Sequence, residues 1–180
     1  MTLQFAPLSR QHNRAAFDCG DEEMNEFVHH YLAQQVKSGE TSCYVLEESE
    51  SYEMLGLFTL SPGSLQKQDF PGGEKFAYPQ AGVYLLGRLA VSKCHHGKGY
   101  AKLMVEQAVT MLTQPDVPRA LGLLTELKRP ELKSFYHKLG FVEITPNKVS
   151  GRVRMFFPFS KPRKLPSHPT TALVFRLAFV

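Results

Sequence analysis

VYLLGRLAVSKCHHGKGYAKLMVEQAVTML, residues 83–112, is the stretch whose reading decides the fold. Its first part, Val83 to Val91, is nearly all apolar, as expected of a strand covered on both faces. Gly87 interrupts the run and predicts a bulge or a close backbone approach. From Tyr100 the apolar residues Leu103, Met104, Ala108, Met111 and Leu112 recur on one helical face. Gly97, Lys98 and Gly99 stand between strand and helix. A helix N-terminus offers unpaired N–H groups and about half a positive charge, and glycines let the backbone approach an anion. The junction therefore reads as a phosphate cradle, with Lys98 and Lys102 adding charge. A Walker A motif is excluded, because Ser92 and Gly99 stand where it needs Gly and then Ser or Thr. A dinucleotide fingerprint starting at Gly97 is excluded by Lys102, where a small residue is required. A glycine turn holding no ligand is the bland alternative, and GKG by itself does not decide against it.

Working outward, RALGLLTEL (119–127) is a second strand, so strand, helix and strand form a βαβ unit with its two strands parallel. RPELKSFYHKLG (129–140) predicts a short helix with Pro130 near its start and Gly140 just past its end. FVEI (141–144) and RVRMFFPF (152–159) read as strands, and TALVFRLAFV (171–180) as a candidate last one. Upstream, DEEMNEFVHHYLAQQ (21–35) predicts a helix N-capped by Asp21, with Met24, Phe27, Val28, Tyr31 and Leu32 on its apolar face. SCYVLEE (42–48) and MLGLFTLS (54–61) predict a hairpin, and the Pro- and Gly-rich residues 62–82 a long loop.

The 180 residues, 43% hydrophobic and 21% charged, suit one soluble domain with a full core. Neither a signal-peptide core in MTLQFAPLSR nor an apolar run of about 18 residues is present, so no membrane contact and a cytoplasmic location are expected. Cys19, Cys43 and Cys94 are odd in number and widely spaced, which argues for reduced thiols. The net charge of +4 is uneven: seven Lys or Arg and no acid follow Glu143, while residues 1–143 balance at −3. Such a segment is either a solvated basic tail or a contact for a polyanion.

RLAVSKCHHGKGYAKLMVEQAV (88–109) resembles the acetyl-CoA-binding motif of the GNAT acetyltransferases. That motif runs Gln or Arg, two free positions, Gly, one free position, then Gly or Ala. Here it reads His96, Gly97, Lys98, Gly99, Tyr100, Ala101, with His96 departing from it. FYHKLGF (135–141) is similar to the family's second signature. FDCGDEEMNEFV, YVLEE, LGLFTLS and LLGRLAV resemble landmarks of the toxin-type GNATs, which acetylate aminoacyl-tRNA and pair with a ribbon-helix-helix antitoxin. The likeness runs from about Phe17 to Phe159; KPRKLPSHPTTALVFRLAFV (161–180) matches nothing expected of the family.

The resemblance implies an α/β (α+β) GNAT fold: a mixed, mostly antiparallel sheet with a central V-shaped parallel splay, flanked by helices. A GNAT domain is expected over residues 1–160, with 161–180 as a basic, apolar extension packed on the same domain. The resemblance places the pantetheine arm of acetyl-CoA on Leu89, Ala90 and Val91, with Gly87 the candidate bulge. The pyrophosphate falls to His96, Gly97, Lys98, Gly99, Tyr100 and Ala101. A backbone N–H meets the oxyanion, and Tyr136 is the acid that protonates the leaving thiolate.

The base is less marked. An α-amine titrates near ~7.7–8.0 and is partly neutral already, whereas a lysine amine near ~10.4 would cost ~4 kcal/mol to deprotonate at neutral pH. Glu126 is the one carboxylate nominated, against an ordinary strand-end charge, and the absence of an obvious base favours an α-amine acceptor. No metal is expected at Cys94-His95-His96, since known motifs space their ligands. His29 and His30 are expected at the surface, and Cys19 as a small buried residue. The function expected is N-acetyl transfer from acetyl-CoA to the α-amine of aminoacyl-tRNA. A small-molecule amine or a protein is the alternative acceptor, and a silent acyl-CoA-binding module the non-enzymatic one. Expected partners are acetyl-CoA, tRNA through Arg152, Arg154, Lys161, Arg163 and Lys164, a ribbon-helix-helix antitoxin, and a second copy of the chain.

Overall fold

The apolar run at 83–91 is the heart of β4 (Gln80–Val91), the central strand of a seven-stranded sheet. The computed structural model describes residues 2–70 and 78–159. The other strands are β1 (Leu3–Pro7), β2 (Ser42–Glu48), β3 (Met54–Gln66), β5 (Gly122–Leu127), β6 (Val142–Ile144) and β7 (Val153–Pro158), in the order β1-β2-β3-β4-β5-β7-β6. Every neighbouring pair is antiparallel except β4 and β5, which run parallel as the βαβ reading requires. That pair is short. Only Tyr84 with Leu123 and Leu85 with Leu124 are in register, and beyond them the strands part. β3, by contrast, follows β4 all the way to Val91.

Gly87 is the bulge. Thr59 of β3 pairs with Arg88 and Leu60 with Leu86, so Gly87 is the extra residue. An extra residue reverses the in–out alternation of everything after it. Before the bulge Tyr84 and Leu86 face helix α3 (Tyr100–Leu112); after it Leu89 and Val91 do. Arg88 and Ala90 consequently face the opposite side. On the first face α3 and α4 (Lys133–Lys138) cover a core built on Leu55, Phe58, Leu86, Met104, Leu123 and Phe141. On the other face α1 (Glu22–Glu26) and α2 (Leu32–Lys37) pack Val28 and Leu32 against Val45, Leu57 and Ala90.

Two expectations are corrected. The segment 62–82 is not a long loop: β3 runs on to Gln66 and β4 begins at Gln80, with a 3₁₀ turn at Lys67–Asp69. β2 has ended opposite Leu60, so Pro62 and Gly63 lie where one side of β3 is an open edge. There a proline removes no ladder hydrogen bond. The helix over 21–35 is also not continuous α-helix. A π-turn at Phe27–Tyr31 joins α1 to α2, adding a residue to the turn. Val28 and Leu32 reach full burial, while Tyr31 is carried out to 52% exposure.

Candidate active site

The cradle begins where β4 ends. A 3₁₀ turn at Lys93–His95 leads into Gly97 and Gly99, both left-handed at φ 78° and 80°. A side chain there would meet nothing within 4 Å, so backbone conformation demands glycine and leaves an open concavity. A non-glycine residue in that conformation costs about 1–2 kcal/mol. The first helical bond of α3 runs from Leu103 N–H to Gly99 C=O at 3.1 Å, so the N–H groups before it have no helical acceptor. Lys98 forms no ion pair among the described residues; Lys102 has only an exposed contact with Glu106 at 3.8 Å. Tyr100 and Ala101 open α3. Tyr100 stacks on the buried His95 ring, 6.0 Å between centroids. His96 donates from Nε2 to Val91 C=O at 2.9 Å, closing the turn on the strand it leaves. At the position where the motif has Gln or Arg, this side chain thus braces the loop from within.

Leu89, Ala90 and Val91 lie on the arm of β4 that β5 has left, paired to Phe58, Leu57 and Gly56 on the other side. Their free edge faces the V. Across the fork stands Tyr136 on α4, 5% exposed, its ring edge-on to Phe141 at 5.1 Å. Its hydroxyl lies beside Thr125 of β5, and the Thr125 hydroxyl donates to Leu86 C=O at 3.0 Å. Thr125 thereby ties the surroundings of Tyr136 to Leu86, the first residue of β4 past the last register pair. Burial pushes its hydroxyl up to about 12, against a smaller downward pull from Thr125, so it keeps its proton at neutral pH.

The opposite face of the fork holds a cavity of about 370 Å³. The sheet supplies Thr59, Ser61, Gly87 and Arg88; the π-turn and α2 supply Phe27 and Gln35; the link into β2 supplies Glu40 and Thr41. No local pattern announced this cavity. Its lining comes from four separated segments, and the only sequence signal that touched it was Gly87. The Arg88 guanidinium lies over the Phe27 ring, 4.6 Å from its centroid.

The loop before α1 is strapped to both arms of the V. Lys93, just beyond β4, pairs with Asp18. Lys128, just beyond β5, pairs with Glu23 at 2.7 Å and Asp21 at 3.4 Å. Lys93, with the Gly20 N–H and the Asn25 amide, holds the Asp18 carboxyl well below the usual range. Asp21 caps α1 as expected, accepting from Met24 N–H at 3.1 Å.

Other expected residues are otherwise employed. Glu126 is bound by the Asn147 amide, which also folds the 147–150 turn. Its side chain lies on the face of β5 away from Thr125 and Tyr136. Arg154, read as an RNA contact sharing a face with Arg152, is 7% exposed. It pairs with Asp69 at 3.1 Å and donates to Thr145 C=O at 2.6 Å. Arg152 is exposed but precedes β7. Lys161, Arg163, Lys164 and the stretch 171–180 lie outside the described residues. His29 binds Phe17 C=O at 2.8 Å, and Cys19 is half-buried against Asn25.

The family model of the acetyltransferase (GNAT) domain matches residues 39–143. A tRNA-acetylating toxin of Mycobacterium tuberculosis is 27% identical over 134 residues, 73% of this chain and 78% of that protein. Among solved structures, AtaTR bound with AcCoA superimposes with a TM-score of 0.71 at 25% identity, over 87% of this chain and 93% of that one. AtaT complexed with acetyl-methionyl-tRNAfMet superimposes with a TM-score of 0.77 at 24% identity, over 87% of this chain and 95% of that one.

Proposed function

The chain belongs to the GNAT acetyltransferase family and is an N-acetyltransferase, and from that premise we propose how its residues divide the work and which amine it acetylates. Acetyl-CoA is the donor. Its pyrophosphate rests on the N–H groups from Gly97 to Ala101, with Lys98 nearby, and its pantetheine lies along Leu89, Ala90 and Val91. His96 acts through the loop it braces. The acceptor amine enters from the cavity on the other face and attacks the thioester carbon. A carbon–nitrogen bond forms as the carbon–sulfur bond breaks. A backbone N–H on the free edge of β4 meets the oxyanion, where preorganised donors contribute most. Tyr136 gives its proton to the departing thiolate.

The observation that carries this reading is the fork itself: β4 and β5 part after two register pairs, and Tyr136 is buried beside Thr125, which bonds Leu86 just past the parting point. The acceptor we propose is the α-amine of an aminoacyl-tRNA. In its favour, among the described residues the one carboxylate lining the cavity is Glu40, exposed and already accepting from Ser38 at 2.8 Å. A site without a dedicated base suits an amine that titrates near ~7.7–8.0 better than a lysine near ~10.4. The toxin of M. tuberculosis named above, 27% identical, is tRNA-acetylating. With this substrate go a cytoplasmic location, an antitoxin partner and pairing with a second copy; no described helix is long and apolar enough to cross a membrane. Transfer of labelled acetyl from acetyl-CoA to a charged tRNA pool, to polyamines and to a peptide mixture tests the choice. Label in the tRNA that is lost on mild alkaline deacylation supports it, and label confined to polyamines or peptides refutes it.

A further inference from the structure

Arg88 is the residue the Gly87 bulge re-aims. With an unbroken alternation it would share the face of Tyr84 and Leu86 and point toward α3. The extra residue turns it into the cavity on the other face, where it lies over Phe27. Among the described residues its guanidinium makes no hydrogen bond and no ion pair. Both threonine hydroxyls that line the cavity are engaged elsewhere. Thr59 Oγ1 accepts from Arg88's own backbone N–H at 2.9 Å, and Thr41 Oγ1 donates to Leu60 C=O at 3.1 Å. Glu23, a carboxylate of the facing α1, is paired with Lys128 at 2.7 Å and feels Arg88 only through space, as the weakest of the charges acting on it. A half-buried guanidinium held over an aromatic ring, its hydrogen-bond donors unspent among the described residues and beside the fork, is suited to receive an anion with planar, paired hydrogen bonds.

Resting on the aminoacyl-tRNA reading, we propose that Arg88 binds a phosphate of the acceptor's terminal nucleotide and so selects amines carried on a nucleotide over free amines. The bulge then serves both sides of the fork. It frees the β4 edge for the donor and places the acceptor's anchor on the reverse face. Arg88 touches no reacting atom in this scheme; it positions the acceptor.

The test uses two fragments carrying the amino acid of whichever aminoacyl-tRNA the wild type accepts: its 3′-ester with adenosine and its 3′-ester with adenosine 5′-monophosphate. The wild type should show a KM roughly 10- to 100-fold lower for the phosphorylated fragment, with similar kcat. Arg88→Gln should erase that preference while the Kd for acetyl-CoA stays unchanged, and Arg88→Lys should retain part of it. Equal KM values for the two fragments in the wild type overturn the proposal without needing a variant to fold. So does a preference that survives in Arg88→Gln, or a free amino acid that outcompetes both fragments. If the wild type acetylates neither charged tRNA nor either ester but turns over another amine, the substrate reading itself has failed, and that is seen before any variant is compared.

Discussion

The two faces of the β4–β5 fork are built differently. The side proposed for the donor is one continuous stretch, from Leu89 to Ala101, in which strand, turn and helix start follow each other without interruption. The acceptor side is a cavity assembled from Phe27, Glu40, Thr59 and Arg88, parts that meet only in the folded sheet. The donor side relies on backbone: positive-φ glycines, orphan N–H groups and a free strand edge. The acceptor side relies on side chains. A backbone site can be ruined only by altering conformation or filling space, whereas a side-chain site can be altered one group at a time. The two halves should therefore fail separately.

The largest separation is expected at Gly99. Gly99→Glu forces a side chain into a left-handed position and sets a carboxylate among the phosphates. Calorimetry should find acetyl-CoA binding abolished at millimolar ligand in a protein that still folds. Heat of binding like that of the wild type would break the cradle assignment. Next comes the fork. Tyr136→Phe should bind acetyl-CoA normally and lose about 10²–10⁴-fold in kcat; an unchanged kcat would remove Tyr136 as the acid.

The same hydroxyl predicts an alkaline effect. Its pKa in the fold is pushed up to about 12, above the ordinary ~10 of the unfolded chain. The proton-holding form is therefore favoured by folding. That contribution is complete below pH ~10 and is lost as pH rises through 12, up to about 2–3 kcal/mol. Denaturant titrations at pH 9 and 11.5 should show the wild type losing more stability than Tyr136→Phe, and parallel losses would contradict the burial argument. The smallest effect is expected on the acceptor side. At Gly87 an added Cβ would meet Thr59 Oγ1 at 3.2 Å and enter the cavity. Gly87→Val should raise the acceptor KM about tenfold by crowding, with little change in acetyl-CoA affinity. A comparable loss of acetyl-CoA affinity would show that the two faces are not independent.

What was legible follows the same division. The parallel βαβ unit, the cradle, the Gly87 bulge and the Asp21 cap all rest on residues adjacent in the chain, where conformation is decided by local sterics and hydrogen bonding. The misreadings came where distant context overrode composition. Pro62 and Gly63 look like loop residues, yet β4 pairs with them because β2 has already ended. Tyr31 fits the helical period, yet the π-turn that buries both Val28 and Leu32 turns it to solvent. Arg154 counts as a surface cation in any tally of charge, yet Asp69, 85 positions earlier in the chain, draws it inward.

The sequence by itself determined the glycine turn that opens α3, because a left-handed glycine before a helix needs nothing beyond its neighbours to take that shape. It also determined that a strand, a helix and a parallel strand surround that point, since hydrophobic periodicity is a local record of which face is buried. Tertiary structure alone decided that Tyr136 is buried beside Thr125, that Arg88 faces α1 and α2 rather than α3, and that four segments enclose one cavity. Those depend on register, and register is settled only when strands from distant parts of the chain compete to bury their apolar faces together.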